Sequence, residues 1–355
     1  AIRYYEDSLE IARSVGDLVR VSGALNNIGM IQLERGEHEL ARARLEESLE
    51  IGQRIGRRQA ITSAYMNLGN LARAQGDSGK AQQYYSDALA LYREIGDRAG
   101  TANGLHGLGV IARLAGSFED AHTRLSESLA ISREIYYPAG ISNNLSELAQ
   151  VERLQGNYDD SRRHLYDLLE IIRSIGDPKD EADSLIDLAV VESLLGHTAE
   201  SRYLLGESLA LNSAHAFSKG IARSLLYLAE ADLSDGDIHL AQERYAESLR
   251  IYREEQDRLG MVLALGGLAS VEVDQREFEA AREHYFEAFQ TASALHDQPL
   301  TLWVLTGIAE LLAREGQAER SLELLGLVLS QSATPQDART RAESLLEELS
   351  PDMDD

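Results

Sequence analysis

Three arginines, Arg73, Arg113 and Arg153, stand 40 residues apart, and asparagines accompany them at Asn26, Asn70, Asn103 and Asn143. A guanidinium is a forked donor for carboxylates and carbonyls. A carboxamide offers both a donor and an acceptor, which matches an extended peptide backbone. Held on one surface, this set would grip a peptide or protein segment. The other reading is that each arginine pairs with a nearby acid such as Asp77 or Glu152. Apolar residues join the same face: Leu114, Leu154 and Leu194, then Leu226, Leu233 and Trp303, with Val110, Ile186, Val190 and Leu263 among them. Apolar side chains on a face that should be wet imply a cover. That cover is a peptide, another domain of the parent chain or a second copy; alternatively, long helices bury these residues between themselves.

No comparable set supports catalysis. The sequence has no phosphate-binding G-x-x-x-x-G-K-[ST] loop, no H-E-x-x-H and no G-x-S-x-G. Gly104, Gly107 and Gly109 follow no strand and read as close helix packing. The nine histidines are scattered without ligand spacing, and cysteine is absent, which excludes disulfides, thiolate zinc sites and a cysteine nucleophile. The expectation is a non-catalytic chain with no cofactor and no metal. Zero cysteines and no visible signal peptide fit a cytoplasmic location. A formal charge of −25 argues against nucleic acid and anionic membrane as partners of the whole surface. At 44% hydrophobic and 26% charged residues the 355-residue chain is not disordered, and no apolar run is long enough to span a membrane.

The candidate residues recur because one unit is copied. Glycines fall at 36, 76, 116, 156, 196, 236 and 316, with Arg276 filling the missing place. Small residues run Gly29, Gly69, Gly109, Ala149, Ala189, Ala229, Ala269, Ala309, and again from Ala41 to Ser321 at the same step. Aliphatic residues run Ile28, Leu68, Leu108, Leu148, Leu188, Leu228, Leu268, Ile308. Below, a position is named by its number in the first full copy, so that Arg73, Arg113 and Arg153 share position 33.

Each copy reads as two helices. Val21, Leu25, Ile28 and Gln32 share one helical face. Gly36 ends that helix in the left-handed conformation. Asp77, Asn157 and Asp237 stand where the next helix needs a cap, as do Asp17, Asp97, Asp177, Asp257 and Asp297 at the following junction. Three junctions depart from the Gly-Asp pattern: Tyr136-Tyr137-Pro138, Ala216-Phe217 and Gln256-Asp257. The aromatics there either fill a gap between helices or make an exposed contact.

The small residues at positions 29 and 41, and the large one at position 45 (Leu45, Tyr85, Leu125, Leu165, Leu205, Tyr245, Tyr285, Leu325), resemble the tetratricopeptide repeat. The resemblance covers residues 1–331, with a period of 40 where that family commonly has 34. It implies an all-α, right-handed α-solenoid of helix-turn-helix repeats, read here as a single superhelix over 1–355. Residues 2–16 would be the second helix of a truncated repeat, 18–331 eight helix pairs, and 335–349 a C-terminal capping helix. The missing first helix suggests a fragment of a longer protein. Family geometry places positions 23, 26, 30, 33 and 34 on a concave groove, so the arginines, asparagines and apolar residues named above become its lining. The segment Leu324–Leu349 resembles the close of repeat arrays in bacterial signal-transduction ATPases and large transcription regulators. That resemblance implies the ligand-sensing part of a larger bacterial regulator. The alternatives are a constitutive scaffold, or an accessory domain of an enzyme whose catalytic domain lies elsewhere.

Overall fold

The computed structural model describes residues 2–349 and, among them, builds eighteen helices and no strand. In order these are α1 (Ile2–Ser14), α2 (Leu18–Glu34), α3 (His38–Arg54), α4 (Arg58–Ala74), α5 (Ser78–Ile95), α6 (Arg98–Leu114), α7 (Phe118–Glu134), α8 (Pro138–Leu154) and α9 (Tyr158–Ile175). They continue as α10 (Pro178–Leu194), α11 (Thr198–Ala214), α12 (Ser218–Ser234), α13 (Ile238–Glu254), α14 (Arg258–Asp274), α15 (Phe278–Leu295), α16 (Gln298–Arg314), α17 (Ala318–Ser330) and α18 (Gln336–Leu349). The even-numbered helices from α2 to α16 are the first helices of the copies. The chain divides into two compact units: a leading unit of Ala1–Arg113 with Glu119–Asn144, and a trailing unit of Leu114–Phe118 with Leu145 onward.

Local chemistry sets the helix ends. The side chains of Asp17, Asp77, Asp97, Asp177, Asp237, Asp257 and Asp297 each accept a backbone N–H in the first turn of the next helix. Asn157 makes no such bond, so its expected capping role is not realised. Gly36 has φ +74°, and Arg276 takes the same turn at φ +63°. In both turns the next N–H closes on the helix behind it, Glu37 to Gln32 and Glu277 to Glu272. Tyr136, Ala216, Gln256 and His296 also stand at positive φ, which the glycine pattern did not single out at His296.

Within a copy the two helices approach closely. A β-carbon on Gly29 would lie 2.7 Å from Cγ of Leu45, and one on Gly109 would lie 2.7 Å from Cγ of Leu125. Buried serines stitch the pairs together. Ser48, Ser128, Ser208 and Ser248 each donate to the carbonyl 26 residues earlier, at 2.9, 2.7, 2.8 and 2.7 Å. A hydroxyl buried without an acceptor would cost about 1–3 kcal/mol, so each serine needs that carbonyl. In the trailing unit the second helices also supply partners to buried acids at position 32. Glu152 and Glu272 meet His164 and His284, both at 2.8 Å, while Asp232 meets Arg202 and Arg244.

Candidate functional site

In the leading unit the first helices present a polar row held by side-chain bonds within and between copies. Asn67 donates to Asn26 at 3.1 Å, joining α4 to α2. The Tyr85 hydroxyl donates to Asn70 at 2.7 Å. Tyr85 reaches this face because Gly69 and Gly107 leave its ring room: a β-carbon on either would sit 2.6 or 3.0 Å from it. Burial raises the Tyr85 phenol above its ordinary pKa, with the Arg73 guanidinium opposing, so it remains a neutral donor. Asn144 spends its amide protons on Ser128 and the Gly140 carbonyl, at 2.8 and 2.7 Å. Its oxygen is therefore the acceptor for Nδ1–H of His106, 3.2 Å away.

The trailing unit presents a more charged first-helix face. On α12, Arg223 pairs with Asp187 and lies 3.7 Å from Asp183, both on α10. Position 30 reads Glu230, Ser270 and Glu310 on α12, α14 and α16. Glu230 is exposed on this face, with protein around it that withholds part of its hydration. That desolvation, with Asp337 adding to it and Arg153 opposing, pushes its carboxyl up to about 7. Glu310 accepts from Nε of Arg341 at 2.8 Å, and Ser270 Oγ lies 3.5 Å from the same guanidinium.

Arg341 belongs to α18, which therefore lies along this face. Ala333 abuts the Gly116 turn and Gln336 the Gly156 turn, with hypothetical β-carbons there only 2.0 and 2.7 Å away. Farther along, Ala342 and Leu345 bury against Leu302, Ala309, Leu325 and Val328. The closing helix thus covers the apolar end of α16 and α17 and also fills part of the face that the sequence marks as a groove.

The repeating pairs, the small residues beneath each crossing and the helical polar face agree with the sequence-level comparisons. The tetratricopeptide repeat profile matches residues 1–54, 60–134 and 140–214. The chain belongs to the tetratricopeptide repeat family. No curated protein matches its sequence. Among solved structures it is similar to the apo form of RapI, with 14% identity, TM-score 0.66, 77% of this chain and 98% of that one covered. It is also similar to the Rap conjugation gene regulator of plasmid pLS20 in complex with the Phr* peptide, at 15% identity, TM-score 0.58, and 82% and 76% covered. A third similar structure is a signal-transduction ATPase with numerous domains and a tetratricopeptide repeat sensor from Pyrococcus horikoshii: 17% identity, TM-score 0.55, 98% of this chain but 54% of that one. At these identities the likeness shows the fold, an α-solenoid, and nothing finer.

On this tetratricopeptide scaffold the sequence-marked residues fall into three groups. Arg73 and Asn143 are exposed; Asn26, Asn70, Asn103, Arg113, Arg153, Leu114, Leu154 and Leu194 are half-buried. Asn26, Asn70 and Arg73 are brought together with Asn67 and Tyr85 in the leading unit, while Arg153 stands near Tyr158 and Glu230 in the trailing one. The third group is corrected: Leu226 is 1% exposed and lies in the core with Tyr245 and Leu265, so it is not open to a ligand. Ile186 and Val110 are buried likewise. Leu233 and Trp303 are half-buried and pack on the core around Leu226, the indole lying over Gly266. A first helix with neighbours on both sides has a narrower open stripe than a helical wheel assigns, which is why position 26 is lost from the face at Ile186 and Leu226, whereas Asn26 stays half-buried on it. The sequence reading passed over Tyr85, Glu230, Ser270, Tyr285 and Glu310. The signal was present for three of them, since Glu230, Ser270 and Glu310 occupy the same position as Asn70.

Among the described residues no helix is long and apolar enough to cross a membrane.

Proposed function

We propose that the chain binds a peptide or protein segment on its first-helix face, has no catalysis of its own, and serves as the ligand-sensing part of a larger bacterial regulator. The observation that carries this reading is the polar row of the leading unit. Asn70, Tyr85 and Arg73 converge on rigid helices, with Asn26 and Asn67 beside them. Such a row offers donors and acceptors at fixed spacing, which is what an extended backbone requires, and little ordering entropy remains to be lost when it binds. The fold is shared with a regulator solved with a peptide and with an ATPase whose repeats are described as a sensor, which supports the reading by analogy. Ligand capture would then alter how the array holds an effector domain elsewhere in the parent protein.

The test is selection of displayed peptides on the immobilised chain, followed by binding to Arg73→Glu. Peptides that bind the parent and lose at least tenfold affinity on Arg73→Glu, but not on Arg57→Glu in an exposed turn, support the proposal. Peptides that bind both variants as tightly as the parent place the contact elsewhere and overturn it.

A further inference from the structure

Charge is unevenly divided among the first helices. Across α2, α4 and α6 the only acid is Glu34, at the end of α2, although the whole chain carries 59 acids. By contrast α10 alone holds Asp180, Glu181, Asp183, Asp187 and Glu192. The acid-poor helices begin with Arg20, Arg58 and Arg98, and each of these pairs with an acid outside its own helix: Asp17, Glu94 and Glu134. Arg73 differs from them. It is exposed beside the polar row and makes no ion pair among the described residues. Asp77, the acid closest to it along the chain, is taken by Nζ of Lys80 at 2.8 Å.

The hydrogen bonds of the row have the same bias. Its internal bonds use up acceptors: Asn26 Oδ1 takes a proton from Asn67, and Asn70 Oδ1 takes the proton of Tyr85. With that proton spent, the Tyr85 oxygen faces the Arg73 guanidinium as an acceptor. What remains outward is rich in donors: the amide protons of Asn26 and Asn70 and the other N–H groups of Arg73, against the oxygen of Asn67. The matching ligand is rich in acceptors, and a carboxylate is the strongest acceptor that a peptide carries.

We propose that the leading-unit face selects an acidic peptide segment, seating one carboxylate on Arg73, with Tyr85 as the positioning residue that holds the guanidinium. This rests on the reading of that face as a peptide site and narrows it to one ligand class. A peptide with a lysine at that place would meet a guanidinium and no acid to offset it. The chain's charge of −25 repels any acidic ligand from afar. Salt at about 0.1 M screens that repulsion beyond about 10 Å, so the groups in contact decide the selection.

The test uses the full chain, immobilised, and three pools of ten-residue peptides, acetylated and amidated at their ends. The pools are random except at the fifth residue, which is Glu, Gln or Lys. They are mixed in equal amounts, and the retained peptides are sequenced by mass spectrometry. Retained Glu peptides should exceed Gln peptides by about tenfold, the usual effect of one charge-assisted hydrogen bond, with Lys peptides the rarest. The preference should vanish on Arg73→Gln and persist on Arg57→Gln. Tyr85→Phe keeps the ring, and at unchanged helicity it should lower the Glu-to-Gln ratio while peptides are still retained; an unchanged ratio would end the positioning role. A fourth pool, with Gln at the fifth residue and a free carboxyl end, separates the two sources of a carboxylate. Its retention at the level of the Glu pool would assign the seat on Arg73 to a chain end. Glu and Gln peptides retained equally, and both lost on Arg73→Glu, would overturn the acid selectivity and leave peptide capture standing. Retention of none of the pools would count against peptide capture itself, a separate result.

Discussion

The phenolic oxygen of Tyr285 occupies space that a side chain on Gly307 would need, 2.5 Å from where its β-carbon would be. The pairing repeats wherever position 45 of one full copy is tyrosine. Tyr245 meets Gly267 and Tyr85 meets Gly107 in the same way. Copies with leucine at that place are followed instead by Asn67, Glu147, Asp187 and Tyr227. The tyrosine passes beneath the next first helix, and a glycine there leaves room for its buried ring.

Gly307→Ala should therefore destabilise the trailing unit by about 1–3 kcal/mol, the usual range for overpacking a filled site. Adding Tyr285→Leu should recover much of that loss, because the ring in conflict is gone. Urea unfolding of the two variants measures both effects. A double variant no more stable than Gly307→Ala would mean that the ring is not what excludes the methyl group.

Arg276 holds a left-handed turn that glycine holds in the equivalent copies, at φ +63°. Relief of a side chain from that conformation is worth about 1 kcal/mol or slightly more, and the added freedom of glycine in the unfolded chain returns part of it. Arg276→Gly should raise the denaturant midpoint by an amount corresponding to roughly 0.5–1 kcal/mol. A lowered midpoint would show that the arginine side chain supports the turn.

Glu230 titrates at about 7 in the folded chain against an ordinary value of 4.5. The folded state thus binds more protons than the unfolded state between those two values, so this group's contribution to stability falls as pH rises from about 4.5 to 7 and is level above. Glu230→Gln should remove that slope and make the chain more stable than the parent at pH 8. Thermal melts of both proteins from pH 5 to 8 test it; parallel curves would place the carboxyl in an ordinary aqueous setting.

His284 sits 2.8 Å from the buried Glu272, and that hydrogen bond is the first cause of its raised pKa. Its contribution is fully present below the unfolded value near 6.5 and is lost as pH rises through the higher folded value. His284→Ala should cost stability at pH 6, on the order of 1–3 kcal/mol for stranding a buried carboxylate whose partner is part-exposed. The loss should shrink by pH 9. Denaturant unfolding at the two pH values gives the answer, and an equal loss at both would assign the histidine a packing role only.

Much of the architecture was readable along the chain because its causes are local. A glycine ending a helix, an aspartate capping the next and a 40-residue recurrence of small and large residues each depend on neighbours a few residues away. The position-33 arginines could be assigned to an outward face for the same reason, and Arg73 stands exposed. What periodicity left open was the width of that face. It assigned Leu226 to solvent, while packing between copies placed it in the core. The pairing of Tyr285 with Gly307 joins adjacent copies, and both residues were visible, but nothing in a helical wheel says that a ring passes beneath the neighbouring helix. The seat of α18 lay farther from view. Gly116 meets Ala333 only because copies far apart in the sequence come together in space, and Glu310 meets Arg341 because the closing helix stacks on α16. A repeat length determines which residues share a position, whereas the angle between successive helix pairs, set by side-chain volumes at every crossing, decides which distant positions meet.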